Sequence, residues 1–294
     1  MTSPHGISTT VDDGYAIRRM ARHELDFALA LAEAEGWNPG LRDAEAFWRA
    51  DADGFFLGAQ HGEPVAAVSA VRYAADEQGP AFGFIGLYLV RPDLRGRGYG
   101  LRLWNAALQA LAAPTIGLDA VVAQQRAYTK DGFALALRNS RYEGAAGGEM
   151  PPGLHRLVET PFAEVLAYDR RCFPARREAF LTSWLSLPGH VALGLRRGES
   201  LAGYGVVRPC GVGSKIGPLF ADDAAAAHSL FHGLCAAAQQ GPVFLDVPLP
   251  NAAAVRLAES HGMRQVFETG RMYRGPAPAY DLERVFGVTS FELG

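Results

Sequence analysis

The chain has 294 residues, 49% of them apolar and 20% charged, with a net charge of −3 at pH 7. That length suggests two domains, and the apolar content excludes a disordered chain. The charge leaves no global basic field, so neither nucleic acid nor a membrane surface is expected as a partner. Three cysteines, Cys172, Cys210 and Cys235, cannot build a disulfide framework and fit a reducing compartment. Met1–Thr10 is polar and lacks the apolar core of a secretory signal. No run approaches the roughly 18 apolar residues of a membrane span. A cytoplasmic protein is expected.

In chain order, Tyr15–Arg18 reads as a strand and His23–Glu35 as a helix with Leu25, Ala28, Leu29 and Ala32 on one face. Asp43–Ala50 continues helical. Phe55–Gln60 and Pro64–Tyr73 form strands around the turn His61-Gly62-Glu63, and Phe82–Val90 is a further strand. Gly100–Ala112 is an amphipathic helix, Ile116–Val122 a strand, and Gln124–Asp131 a short helix ending at Gly132. Glu143–Gly153 (EGAAGGEMPPG) has no apolar period and reads as the linker.

The second half repeats the order more faintly. Ala163–Asp169 and Arg176–Trp184 read as helices, and His190–Arg196 with Leu201–Arg208 as a hairpin. Lys215–Phe220, helix Ala224–Gln239, strand Phe244–Val247 and helix Asn251–Ser260 follow. Helices segregated around hairpin-joined strands indicate an α+β (mixed α/β) fold, occurring twice. The expected domains are residues 1–145 and 153–294.

Most of the chemical information lies in Leu87–Gly100 (LYLVRPDLRGRGYG). A strand enters a loop with Gly96, Gly98 and Gly100 at alternate positions, and the loop opens into a helix. Such a helix start offers unpaired N–H groups and a positive dipole end to an anion, and glycine permits close approach. Arg95 and Arg97 add positive charge, which suggests a diphosphate. The spacing is neither G-x-G-x-x-G nor a Walker A loop. Gly211–Gly217 (GVGSKIG) also fails that spacing and reads as a turn.

Arg95, Gly98 and Gly100 match the pyrophosphate loop of the GNAT (GCN5-related N-acetyltransferase) superfamily, which the segment resembles. Tyr128-Thr129-Lys130-Asp131-Gly132-Phe133 is similar to the Y-x-x-x-G-F that closes the last helix of such a domain. In the second half, Asn251–Leu257 resembles the family's N-x-x-A-x-x-L helix. Ala258 stands there in place of the tyrosine, and Phe220-Ala221-Asp222-Asp223-Ala224 in place of the glycine loop. Two carboxylates repel phosphate, so the second domain is expected to be degenerate for cofactor binding.

The resemblance implies two tandem GNAT-like domains, each a twisted, mostly antiparallel sheet flanked by helices. It implies an acetyl-CoA-dependent N-acetyltransferase acting on a primary amine by direct attack on the thioester, with no metal. Leu89 and Val90 would pair with the pantetheine. Arg95, Gly96, Arg97, Gly98, Tyr99, Gly100 and Leu101 would hold the pyrophosphate. Tyr128 would protonate the leaving thiolate. The residues leave Glu24, Glu33, Glu35, Asp119 and Tyr88 unranked as general base. They leave open a small-molecule or peptide acceptor and a homodimer. A non-catalytic CoA-binding sensor, or an aminoacyltransferase on a tandem GNAT scaffold, are the alternatives.

Tyr15, Trp37, Trp48, Phe55 and Phe56 are candidates for an acceptor groove, weighed against core packing. Cys172 beside Arg170 and Arg171 has a cationic setting but no other nucleophile signature. His228, His232 and Cys235 share a helix face, yet one face cannot close a tetrahedral metal site. They read as an interior or interface stripe.

Overall fold

The computed structural model describes residues 14–238 and 241–294. Met1–Thr10 and Gln239, the expected end of the long helix, lie outside them. The first half runs β1 (Tyr15–Arg19), α1 (Leu25–Ala34), α2 (Asp43–Ala50), β2 (Phe55–Gln60), β3 (Glu63–Tyr73) and β4 (Phe82–Val90). It continues through α3 (Tyr99–Leu111), β5 (Thr115–Val121), α4 (Gln125–Thr129) and β6 (Ala134–Ala145). The second half repeats every one of these. It runs β7 (Leu154–Arg156), α5 (Phe162–Cys172), α6 (Glu178–Trp184), β8 (Val191–Arg197), β9 (Ser200–Pro209) and β10 (Ser214–Ala221). Then come α7 (Ala224–Ala237), β11 (Pro242–Pro248), α8 (Ala252–Ser260) and β12 (Arg264–Arg274). A last strand, β13 (Val285–Gly287), has no counterpart among the described residues of the first half.

The fold is mixed α/β, and the thirteen strands of the described residues join one mostly antiparallel sheet. The order is β1-β2-β3-β4-β5-β12-β6-β11-β10-β9-β8-β7, with β13 beside β10. It is a palindrome centred between β12 and β6, and at that centre the halves have exchanged their last strands. β12 pairs with β5 of the first half, and β6 pairs with β11 of the second. The expected linker therefore begins inside a strand, because Glu143, Gly144 and Ala145 belong to β6.

Each exchanged strand carries an arginine directly opposite an aspartate of its host. Arg271 on β12 faces Asp119 on β5, and Arg141 on β6 faces Asp246 on β11. Both pairs are bidentate, at 2.9 and 2.7 Å for the first and 2.7 and 2.8 Å for the second. All four side chains are buried. A buried charge stripped of its partner costs about 3–5 kcal/mol. Each pair therefore ties an exchanged strand to its host.

Alternation along the strands sets the layers. Phe82 and Phe84 of β4 face α1 and α2, and Ile85 faces α3. On the α1–α2 side the halves meet where Phe47 of α2 stacks on Trp184 of α6, with centroids 6.2 Å apart. On the other side, α3 buries Leu103, Trp104, Ala107 and Leu111, while α7 and α8 cover β10 and β11.

Candidate active site

β4 and β5 run parallel and pair from Phe82–Thr115 to Ile85–Leu118, then part. A bulge against β3 turns β4 at the parting, and Leu87 there takes φ +46°. The edge from Gly86 to Val90 is left facing a cleft of about 340 Å3. Leu89, Val90, Arg95 and Tyr128 line this cleft, and the loop continues from Arg95 into the first turn of α3. Gly96 and Gly98 have φ of +76° and +82°, and a Cβ at either would meet no atom within 4 Å. Gly98 caps α3 in the left-handed conformation, so the N–H groups of Tyr99, Gly100 and Leu101 have no intrahelical acceptor. This open, donor-lined cradle fits a diphosphate.

The side chains of three loop residues take different positions. Arg95, though exposed, is drawn into the cleft wall, donating to the Val90 carbonyl at 3.0 Å and pairing with Glu35, while Arg97 is exposed at the loop tip. Leu101 is 61% exposed, so it has only its backbone to offer. Tyr99 stacks on Tyr15, whose hydroxyl donates to the Tyr99 carbonyl. That places Tyr15 under the loop and outside the acceptor groove. Phe55, Phe56 and Trp48 are likewise core or core-packed, and of the five aromatics only Trp37 lines the cleft.

Tyr128 sits against Trp104, 5.0 Å between centroids, and its hydroxyl makes no hydrogen bond to another described residue. Burial first, then the neighbouring Tyr88, holds its phenol above the ordinary tyrosine range. It stays protonated throughout the neutral range, where it can give up a proton and cannot take one. Tyr88 is pushed up to about 12 by burial, then by Asp131, which removes it as a base at neutral pH.

The other expected bases sort by position. Glu24 is tied to Arg18 by two hydrogen bonds, away from the cleft, and is held down at about 2. Glu33 does not line the cleft. Asp119 does, but both its oxygens are taken by Arg271 and Asn139. Glu35 lines it and is paired with Arg95. Glu292, which sequence reading missed, lines the cleft at 3% exposure, and its Oε2 has no hydrogen-bond partner among the described residues. No local motif announces it, because it arrives from the far end of the chain.

The second half shows how it arrives. β10 and β11 also pair briefly in parallel, from Ser214–Val243 to Ile216–Leu245, and then part. There β13 occupies the gap, pairing with β10 at Leu219–Gly287 and Phe220–Val285. The Val288 N–H closes onto the Asp246 carbonyl of β11 at 2.8 Å. At the start of α7, the Asp223 carboxylate accepts from Ala226 N–H at 3.0 Å, filling the anion position from within the chain. Beyond β13 the chain continues under the first cleft. The Tyr73 hydroxyl donates to the Leu293 carbonyl at 3.0 Å, and a Cβ on Gly86 would strike the Glu292 carbonyl.

The opposite wall is loop 36–42, which the second half holds in place. Lys215, buried and lowered below the ordinary lysine range by that burial, donates to the Asn38 carbonyl at 2.9 Å. Arg141 donates to the Trp37 carbonyl at 2.7 Å. Cys172 is buried, and desolvation pushes its thiol up, so it is no nucleophile despite its arginines. No helix among the described residues is long and apolar enough to cross a membrane.

Two family models match the chain. One describes the acetyltransferase (GNAT) family and matches residues 18–133; the other describes an acetyltransferase (GNAT) domain and matches residues 165–287. A protein named holothin acyltransferase, from Pseudoalteromonas sp. (strain SANK 73390), is 34% identical over 266 residues, covering 90% of this chain and 89% of that one. A solved Pyrococcus horikoshii structure assigned to the acetyltransferases shares the fold with a TM-score of 0.82 at 22% identity, over 100% of both chains. A tandem GNAT protein from the clavulanic acid biosynthesis pathway gives a TM-score of 0.59 at 14% identity, over 90% of this chain and 99% of its own.

Proposed function

The chain belongs to the GNAT acetyltransferase family and is an acyltransferase; on that premise we propose that it moves an acetyl group from acetyl-CoA to a small primary amine. The observation that carries this reading is the parting of β4 from β5, with the glycine cradle at one end and Tyr128 on its wall. Acetyl-CoA supplies an activated thioester. The Gly86–Val90 edge offers backbone groups to the pantetheine amides, and the N–H groups from Gly96 to Leu101 face the pyrophosphate. Tyr128 donates its proton to the sulfur as the C–S bond breaks and the C–N bond forms. A thiolate whose thiol has a pKa of about 8.5 is a weak base, so its departure needs only modest help.

The attacking amine must shed a proton from a pKa of about 10. Glu292 is the carboxylate we assign to receive it, since it lines the cleft and its Oε2 has no hydrogen-bond partner among the described residues. Trp37, Phe267 and Phe291 enclose the same space, which suits a compact acceptor with an apolar or aromatic body. Turnover of acetyl-CoA against a panel of amines that includes holothin tests the reading, and no transfer to any member would count against it. Glu292→Gln keeps the shape and removes the base. It should lower kcat/KM for the amine about 100-fold at neutral pH while acetyl-CoA affinity stays within a factor of two or so. Parent-like turnover would return Glu292 to a structural role.

One acetyl-CoA is expected per chain. β13 and Asp223 already fill the second half's gap and anion position. Calorimetry should give a stoichiometry of about one, and two equivalent sites would refute the assignment.

A further inference from the structure

The helix-face reading of His228, His232 and Cys235 is corrected by the structure. Cys235 lies on the buried face of α7, while His228 and His232 are exposed, one turn apart. His261, at the end of α8, rises to meet them. One ring nitrogen from each of the three lies within 4.8 Å of the others. His232 Nε2 and His261 Nε2 are 2.9 Å apart, and the His228 and His261 ring centroids are 4.5 Å apart.

The orientation of His261 is fixed by its other nitrogen. Nδ1 lies 2.9 Å from the Leu257 carbonyl, which can only accept, so Nδ1 carries the hydrogen. Nε2 then presents a lone pair toward the other two rings. A backbone carbonyl holding the far nitrogen is the usual support of a metal-binding histidine. Histidines four apart on a helix share a face, and a third from a neighbouring helix supplies what one face lacks. Tetrahedral zinc at about 2.0–2.1 Å from each nitrogen sets the ligand atoms roughly 3.4 Å apart, an adjustment open to the exposed rings of His228 and His232 around a half-buried His261.

We propose that His228, His232 and His261 bind one borderline divalent transition ion, Zn2+ foremost, clipping α7 to α8. The donors are all imidazole, which suits zinc, copper or nickel and not calcium or magnesium. Three protein ligands leave a fourth position to water. None of the three lines the acyl-transfer cleft, so the ion would brace the second half. α8 is a consequential helix to brace. Asn251 at its start donates to the carbonyls of Leu282, Glu283 and Val285, which lead into β13.

The test uses tag-free, chelator-treated full-length chain. Titration with ZnCl2 should show one ion per chain, and CoCl2 should raise visible d–d absorption. Zinc should also lift the melting temperature by about 5 °C at saturating concentration. His261→Ala and His232→Ala should each weaken zinc binding about 100-fold or more and abolish the thermal shift, with far-UV circular dichroism unchanged. His228→Ala serves as the third arm should either variant misfold. No zinc binding by the parent, or binding that survives these substitutions, overturns the proposal.

Discussion

Gly98→Asp is expected to weaken acetyl-CoA binding at least about 100-fold while the chain stays folded. At an effective dielectric near 20, two like charges about 4 Å apart repel by roughly 4 kcal/mol, or about a thousandfold in affinity. Gly98 is exposed, so salt screening lowers that figure, and a hundredfold is the conservative expectation. The aspartate also blocks the approach of phosphate to the backbone N–H groups of the first turn. Folding should survive, because a Cβ there meets no atom within 4 Å. The φ of +82° costs an aspartate about 1 kcal/mol relative to glycine, or a few degrees of melting temperature. The matched control is Asp223→Ala at the start of α7, which loses a helix cap but should leave acetyl-CoA affinity unchanged. Calorimetry on the two variants decides it. Parent-like affinity in Gly98→Asp would remove the loop as the pyrophosphate site and the acetyl-CoA reading with it.

The elements with strong periodicity were legible in the sequence to within a residue or two. α2, β2 and β4 have the expected bounds, and α3 is displaced by one residue. β6 and β12 were not legible. They end each repeat unit, and their partners belong to the other half, so nothing near them in sequence marks the pairing. The one readable trace is the recurrence of Leu118-Asp119 and Leu245-Asp246, each followed downstream by an arginine, Arg141 and Arg271. It becomes meaningful only once the strands are seen crossed. Reading Glu143–Gly153 as linker followed from its glycines, yet Gly144 sits in β6 against the Met263 side chain.

The site divides in the same way. The cradle and Tyr128 lie in contiguous motifs, so the family resemblance could point to them. Glu292 and the hold on Trp37 by Arg141 and Lys215 depend on contacts across more than a hundred residues, which spacing cannot report. The acidic start of α7 was read from Asp222 and Asp223, but the strand that fills the gap beside it was not. β13 is three residues long and follows a proline-rich stretch without alternation. Its placement gives the degenerate half a physical role. The gap that would receive a pantetheine instead holds the chain's own strand, whose continuation delivers Glu292 to the working cleft. On the proposed reading, the half without a cofactor site supplies a residue to the site of the other.

Tyr128→Phe is expected to lower kcat by about 10²–10⁴-fold, the range for removal of a general acid, with acetyl-CoA affinity nearly unchanged. The hydroxyl has no partner among the described residues, so its removal leaves no polar group stranded, and the ring keeps its packing on Trp104 and Phe133. Stability should therefore move by less than about 1 kcal/mol. The pH dependence separates this role from a structural one. A phenol held above its ordinary pKa of about 10 stays protonated below that pH, so the parent's kcat should show no descending limb from Tyr128 up to about pH 9. A tyrosine acting as a base would give the opposite sign, with rate rising as the phenol ionised. In the variant, the deficit should shrink for thioesters whose leaving thiol is more acidic, because such a thiolate needs less protonation. Single-turnover measurement of the chemical step in parent and variant reads both effects. An unchanged chemical step in Tyr128→Phe would leave the tyrosine as packing for Trp104 and the leaving thiolate to water.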